Sequence, residues 1–209
     1  MIRVIIADDH SVVRQGVARV FAEVRDVSVV GEAASGDELV DNLLATEADV
    51  CLLDLAMPGG GLDALGRLHE LRPDLRILVF SMHPEDQYAV RCLAAGASGY
   101  LGKGCPPEQL ISAVRTVAAG RRYIGDTVAE LLADHVVGGP QGEGHEKLSN
   151  REYEVFRRLA RGESSGEIAD SLGLSVKSVS TYRTRVLEKL GVARNADLTR
   201  YALRHGLIE

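Results

Sequence analysis

Nine residues, Val50-Cys51-Leu52-Leu53-Asp54-Leu55-Ala56-Met57-Pro58, constrain the fold of this chain more than any other stretch. An apolar run too short for a helix meets one carboxylate, then breaks at Pro58 and Gly59-Gly60-Gly61. A continuous apolar run bounded by turn residues reads as a strand covered on both faces. In open α/β sheets, ligands bind beyond the carboxyl ends of such strands. Asp54 is therefore expected at or near a strand end where a sheet of this kind does its chemistry.

The flanking sequence supplies the rest of the sheet. Arg3–Ala7 and Val27–Ala33 read as strands around a helix, Val12–Val24, that carries Val13, Val17, Val20, Phe21 and Val24 at helical spacing. Ser35 and Glu38 have capping-box spacing ahead of Leu39, Leu43 and Leu44. Asp49–Leu55 is the third strand and Leu62–Leu71 a helix; Ile77–Phe80, Glu85–Ala95 and Ser98–Leu101 then alternate strand, helix and strand. Pro106-Pro107 suits a helix start, where the first N–H groups lack acceptors, and Leu110, Val114 and Val117 mark the buried face that follows. Five β–α repeats imply a parallel sheet with helices on both faces.

Charge divides the chain in two. The net charge of −6 combines a balance of −9 over residues 1–145 with +3 over residues 146–209. An acidic front and a basic tail suggest different partners. Between them, Gly138-Gly139-Pro140-Gln141-Gly142-Glu143-Gly144 has no apolar residue and reads as a flexible linker. Three widely spaced cysteines, Cys51, Cys92 and Cys105, form no metal or redox pair motif and read as reduced, packed side chains. No run approaches eighteen apolar residues, and Met1–Asp9 is a strand ending in acids, not a signal peptide. A cytoplasmic protein without a membrane partner is expected.

If the first strand is central, Asp8 and Asp9 emerge beside Asp54. Three carboxylates repel one another unless a cation lies among them, and Mg2+ takes such oxygen ligands. Ser81 ends the fourth strand and Lys103 follows the fifth, so a hydroxyl and an ammonium join the acids. That set suits a phosphoryl group, with Asp54 as the nucleophile and Mg2+ and Lys103 neutralising the charge that develops on transfer. His10 reads as a helix-entry residue in preference to a metal ligand. A P-loop is excluded at Gly102-Lys103 by Ala97 and Gly104. A haloacid-dehalogenase-type phosphatase would need a second Asp where Ala56 stands.

Ile6-Ala7-Asp8-Asp9-His10, Leu53-Asp54-Leu55-Ala56-Met57-Pro58-Gly59, Ser81 and Gly99-Tyr100-Leu101-Gly102-Lys103 resemble the receiver domain of two-component response regulators. The resemblance implies phosphorylation of Asp54 by a sensor histidine kinase. It also implies Asp9 as a direct Mg2+ ligand, Asp8 as a near or water-mediated one, and the Ala56 carbonyl as another. Ser81 and Tyr100 would be the switch pair, the hydroxyl moving to the phosphoryl group as the ring turns inward. Two departures stand out: the Gly59–Gly61 loop is one residue shorter than the usual pattern, and Gly102 and Gly104 flank Lys103.

The back half is helical by pattern. Ser149 with Glu152 and Ser164 with Glu167 are capping boxes; Ser175 caps a third helix that stops at Gly191; Ala196–His205 is a fourth. The second and third helices, joined by Gly173-Leu174-Ser175, form a helix-turn-helix. In the third, Val179, Val186, Leu187 and Leu190 can pack inward, and Lys177, Ser178 and Ser180 through Arg185 leave a polar, basic face suited to a DNA major groove. Leu148 through Val192 resembles the LuxR-type helix-turn-helix, and the whole chain resembles the NarL/FixJ class of response regulators. By that resemblance Ser180, Thr181 and Thr184 face bases. Lys177, Tyr182, Arg183, Arg185 and Lys189 hold the backbone, and homodimers form on paired half-sites of double-stranded promoter DNA.

The expected architecture is a flavodoxin-like five-stranded parallel-sheet receiver over residues 1–120. A helical extension and linker cover 121–146, and an all-α four-helix helix-turn-helix domain covers 147–209. The expected function is a phosphorylation-controlled transcription regulator and not an enzyme. The alternatives are a Mg2+-dependent phosphohydrolase and a receiver locked without phosphate.

Overall fold

The computed structural model describes residues 1–59, 62–126, 128–130 and 144–208, apart from the side chains of 62, 63, 86, 87 and 146. It divides into two compact units, Met1–Asp134 and His135–Glu209. Except for Gly144, the expected glycine linker lies outside the described residues, as do Gly60 and Gly61 of the shortened loop.

In the first unit, strands β1 (Ile2–Ala7), β2 (Val27–Ala33), β3 (Val50–Leu53), β4 (Arg76–Ser81) and β5 (Gly99–Gly102) form one parallel sheet in the order β2-β1-β3-β4-β5. Helices α1 (Ser11–Ala22), α2 (Gly36–Ala45), α3 (Leu62–Leu71), α4 (Glu85–Ala94) and α5 (Pro107–Ala118) connect and follow the strands. Parallel strands need crossovers, and the crossovers cover both faces, so the strands carry apolar residues on both sides. Every residue of β3 is buried. Val17 and Phe21 of α1 and Leu110, Val114 and Val117 of α5 close over one face, against Ile6, Leu52, Leu78 and Leu101. Cys51 is fully enclosed, and burial pushes its thiol up to about 12.

Two local expectations shift. β3 ends at Leu53, short of the expected Leu55, because the chain bends after Asp54 and Ala56 N–H turns back to donate to Asp54 Oδ1 at 3.2 Å. At the start of α2, Ser35 Oγ accepts from Glu38 N–H at 3.3 Å, but Glu38 reaches past the cap residue to accept from Ala34 N–H at 2.7 Å.

The second unit opens with a 3-10 turn, Gly144–Lys147, followed by α6 (Asn150–Ala160), α7 (Ser165–Leu172), α8 (Val176–Leu190) and α9 (Asn195–Arg204). Both expected capping boxes are present, and Ser175 Oγ accepts from Ser178 N–H at 3.0 Å to open α8. Gly173 and Gly191 take left-handed backbone, φ 62 and 65, and end α7 and α8. Val155, Phe156, Val179, Val186, Leu198 and Ala202 form the centre of this small core.

At one point two backbones meet too closely for any side chain. Gly36 N–H donates to the Pro58 carbonyl at 2.8 Å, and a Cβ at Gly36 would collide with the Gly59 carbonyl oxygen. Gly66, midway along α3, faces open space. Gly36→Ala should therefore destabilise the first unit by about 1–3 kcal/mol. Gly66→Ala should stabilise it by about 0.5–1 kcal/mol, both read from urea unfolding midpoints.

A second expectation concerns acid. Burial opposes ionisation of Glu152, but the Lys189 ammonium and the Ser149 donors outweigh it and hold the carboxyl below its ordinary 4.5. Its stabilising contribution is thus complete above that value and is lost as pH falls through the lower folded value. Thermal melts run from neutral pH downward should show wild type losing its margin over Glu152→Gln in that acidic range.

Candidate functional site

The topology converges several strand ends on one edge. β2 lies on one side of β1 and β3 on the other, so the chain reverses direction across the sheet at β1, where α/β sheets open a crevice. Ala7 pairs with Leu53 and Leu53 with Val79, so Asp8 and Asp54 step off the sheet together. Asp8 N–H donates to Ala33 O at 2.9 Å and Asp54 N–H to Ala7 O at 2.8 Å, fixing both backbones. Lys103 N–H donates to Ser81 O at 2.9 Å, which brings the fifth strand's lysine to the same edge.

The side chains meet as their residue types require. Asp8 and Asp54 are each 2% exposed, whereas Asp9 stands at the rim. Lys103 Nζ lies 2.6 Å from Asp8 Oδ2 and 2.8 Å from Asp54 Oδ2. Both separations are those of charge-assisted hydrogen bonds, so one ammonium serves two buried carboxylate oxygens. Burial pulls the Lys103 ammonium down, but the two carboxylates prevail and its pKa is raised. Three carboxylates against one buried ammonium leave excess negative charge. Ligand atoms of Asp8, Asp9, His10 and Asp54 lie within 4.8 Å of one another, a spacing and an oxygen-rich donor set that fit a hard divalent cation.

The sequence places His10 only at the helix entry, and its backbone N–H does occupy that position, donating to Asp8 Oδ1 at 2.9 Å. Its ring also enters the acid cluster, with Nδ1 2.7 Å from Asp9 Oδ1. Ser81 and Tyr100 are both buried, and one residue that the sequence does not single out joins them. His83 N–H donates to Ser81 Oγ at 3.2 Å, and Tyr100 Oη donates to His83 O at 2.9 Å. The His83 ring stacks on Tyr88 with centroids 4.5 Å apart. Glu85, also unforeseen, accepts from Gly102 N–H at 3.3 Å, tying α4 to β5. Neither residue carries a motif of its own; position after Ser81 is the available clue.

On α8, Lys177, Ser180, Thr181, Thr184 and Arg185 share the exposed face, opposite the buried Val179 and Val186. Thr181 and Thr184 donate to the carbonyls of Lys177 and Ser180, which leaves their oxygen lone pairs outward. Tyr182 and Arg183 are half-buried, and Arg183 Nε donates to Asn195 Oδ1 at 2.7 Å. Lys189, expected to hold the backbone, has its Nζ 2.6 Å from Glu152 Oε2.

Comparison with known proteins assigns a family to each part of the chain. Residues 4–115 match the response regulator receiver domain, and residues 146–202 match the bacterial regulatory proteins of the luxR family. Response regulator UvrY of Escherichia coli K12 is 36% identical over 209 residues, spanning 99% of this chain and 96% of UvrY. RcsB from Salmonella enterica serovar Typhimurium, bound to promoter rprA with phosphomimetic BeF3-, superposes with a TM-score of 0.71 at 30% identity, covering 96% of this chain and 97% of RcsB. A structure of two RcsB dimers on two parallel DNAs gives 0.61 at 30% identity, covering 96% of each chain. The chain therefore belongs to the two-component response regulators of the NarL/FixJ class, which join a receiver domain to a LuxR-type DNA-binding domain.

Proposed function

We propose that Asp54 accepts a phosphoryl group from a sensor histidine kinase and that the acyl phosphate controls dimerisation and promoter binding in the cytoplasm. The observation that carries this reading is Lys103 Nζ seated between Asp8 and Asp54, 2.6 and 2.8 Å away, at the carboxyl edge of the sheet. Mg2+ would be held by Asp9, Asp54 and the Ala56 carbonyl, with Asp8 nearby. When bound, it supplies positive charge to the oxygens of the incoming phosphoryl group. The excess of carboxylates and the closeness of their ligand atoms support that assignment.

An Asp54 carboxylate oxygen attacks phosphorus, the bond from phosphorus to the donor's imidazole nitrogen breaks, and an acyl phosphate forms. Lys103 stays beside the transferred group as a fixed cation, so little reorganisation is needed as charge moves. The donor has to reach a pocket whose rim is apolar. A groove of about 410 Å³ between α1 and α5, lined by Val13, Val17, Val20 and Leu110, opens beside Lys103, and exposed Val12 and Met82 flank it. That surface suits a kinase helix presenting its phosphohistidine.

Ser81 and Tyr100 form the switch through His83. Ser81 Oγ accepts from His83 N–H while its own O–H can donate to a phosphoryl oxygen, so movement of the hydroxyl toward the phosphate pulls on the His83 segment, whose carbonyl anchors Tyr100. A change at the phosphate therefore reaches the β5 ring through one peptide segment. In the second unit, Ser180, Thr181 and Thr184 read base edges, and Lys177 and Arg185 hold phosphates, with Tyr182 and Arg183 beside them. Paired half-sites and a homodimer follow from a two-fold arrangement of such units.

The phosphohydrolase alternative has no second acid at Ala56, and the relatives are DNA-binding regulators, so the site is read as a regulatory acceptor and not as a turnover enzyme. Intact mass after incubation with acetyl phosphate and Mg2+ should show one added phosphoryl group on wild type and none on Asp54→Ala. Lys103→Met should lower the rate of adduct formation by about 10²–10³-fold. An adduct on the Asp54→Ala chain would overturn the assignment.

A further inference from the structure

Lys189 has the position of a DNA contact but the partners of a structural one. It lies in the last turn of α8, and its Nζ is 2.6 Å from Glu152 Oε2 and 3.3 Å from the Lys147 carbonyl oxygen. Glu152 is only 3% exposed, and the same Oε2 accepts from Ser149 N–H at 2.7 Å, while Ser149 Oγ accepts from Glu152 N–H at 3.3 Å. The carboxylate is therefore fixed by the N-terminal cap of α6 and has little freedom to follow the lysine outward. Moving the amine to a phosphate would leave a buried carboxylate unpaired, a cost that an exposed ion pair does not offset.

What this pair adds is direction. Val179 and Val186 seat α8 by apolar packing and Arg183 Nε ties its middle to Asn195 Oδ1, which leaves the direction of its last turn to other contacts. A charge-assisted contact to a capped helix end fixes it. Lys189 follows Ser180 by nine residues, about 13 Å along the helix axis, so it holds the far end of the lever whose near half carries Ser180, Thr181 and Thr184. The start of the unit meets the same junction. A side chain at Gly144 would come within 3.2 Å of Leu190 Cδ2 and 3.4 Å of Tyr201 Oη, and His145 N–H donates to Tyr201 Oη at 3.2 Å.

We infer that Lys189 is a positioning residue for DNA recognition, acting through Glu152 to hold the orientation of α8, and not a phosphate contact. The inference rests on α8 being the helix that reads DNA. It separates two kinds of binding. Loss of a phosphate contact weakens all duplexes and reduces the salt dependence of binding, whereas loss of orientation weakens the preferred sequence alone.

The test uses the full chain with acetyl phosphate and Mg2+, titrated by fluorescence anisotropy across a series of NaCl concentrations. The probes are a duplex selected from a random pool by the wild-type chain and a scrambled duplex of equal length. Lys189→Met and Glu152→Gln should each weaken the selected duplex by about tenfold, and the double variant should be no weaker than Lys189→Met alone. Binding to the scrambled duplex and the salt slope should not change, and Lys189→Arg should recover most of the affinity. Arg185→Ala is the reference for a phosphate contact, weakening both duplexes and lowering the salt slope by about 0.9. Thermal melts report whether each variant is folded at the assay temperature. Should Lys189→Met fail there, Glu152→Gln, which keeps the acceptor for Ser149, carries the same comparison. A Lys189→Met chain that behaves like Arg185→Ala would overturn the inference, as would a Glu152→Gln chain with unchanged affinity for the selected duplex. A wild-type chain from which no preferred duplex can be selected would instead overturn the reading-helix assignment, and the inference with it.

Discussion

The ammonium of Lys103 between Asp8 and Asp54 is the interaction on which the first unit's chemistry depends. Two carboxylates buried side by side cost free energy that burial of nearby leucines and valines does not cancel, unless opposite charge enters the same space. The sheet supplies it from the far side: β1 and β3 bring the acids, and β5, beyond β4, brings the lysine. The result is a site that still carries more negative than positive charge. It is poised for a divalent cation and for a group that arrives with phosphoryl oxygens.

That concentration of charge also explains how a small covalent change can be felt elsewhere. Ser81 and Tyr100 do not need a direct bond to be coupled, because each holds one polar group of the His83 peptide segment. Burial raises the Tyr100 phenol and keeps it a donor, so the carbonyl of His83 remains its natural partner. The proposed switch would run through this segment, with the hydroxyl and the ring as its two ends.

In the second unit an ion pair between an exposed lysine and a buried carboxylate does a different job. Glu152 belongs to a capping box, a local device for ending a helix, and the same carboxylate also receives the amine of Lys189 from the reading helix. One side chain thus relates the start of α6 to the end of α8.

Much of this chain is legible in its amino-acid sequence alone. The strand through Val50–Leu53, the repeated β–α pattern, the caps at Ser149, Ser164 and Ser175, and the residue types at the strand ends are all carried by neighbours in sequence. Their physical causes act over one to four residues. Asp8, Asp54, Ser81 and Lys103 can be grouped from sequence because parallel crossovers place successive strand ends on one edge. Tertiary structure alone decided which of them touch and at what distance. It also decided that His83 lies between Ser81 and Tyr100 and that the His10 ring joins a cluster that includes Asp54. The contact of Lys189 with Glu152, across 37 positions of chain, follows the same rule. A cation's exposed pattern on a helix is local, but its partner depends on a carboxylate buried by the packing of a different helix.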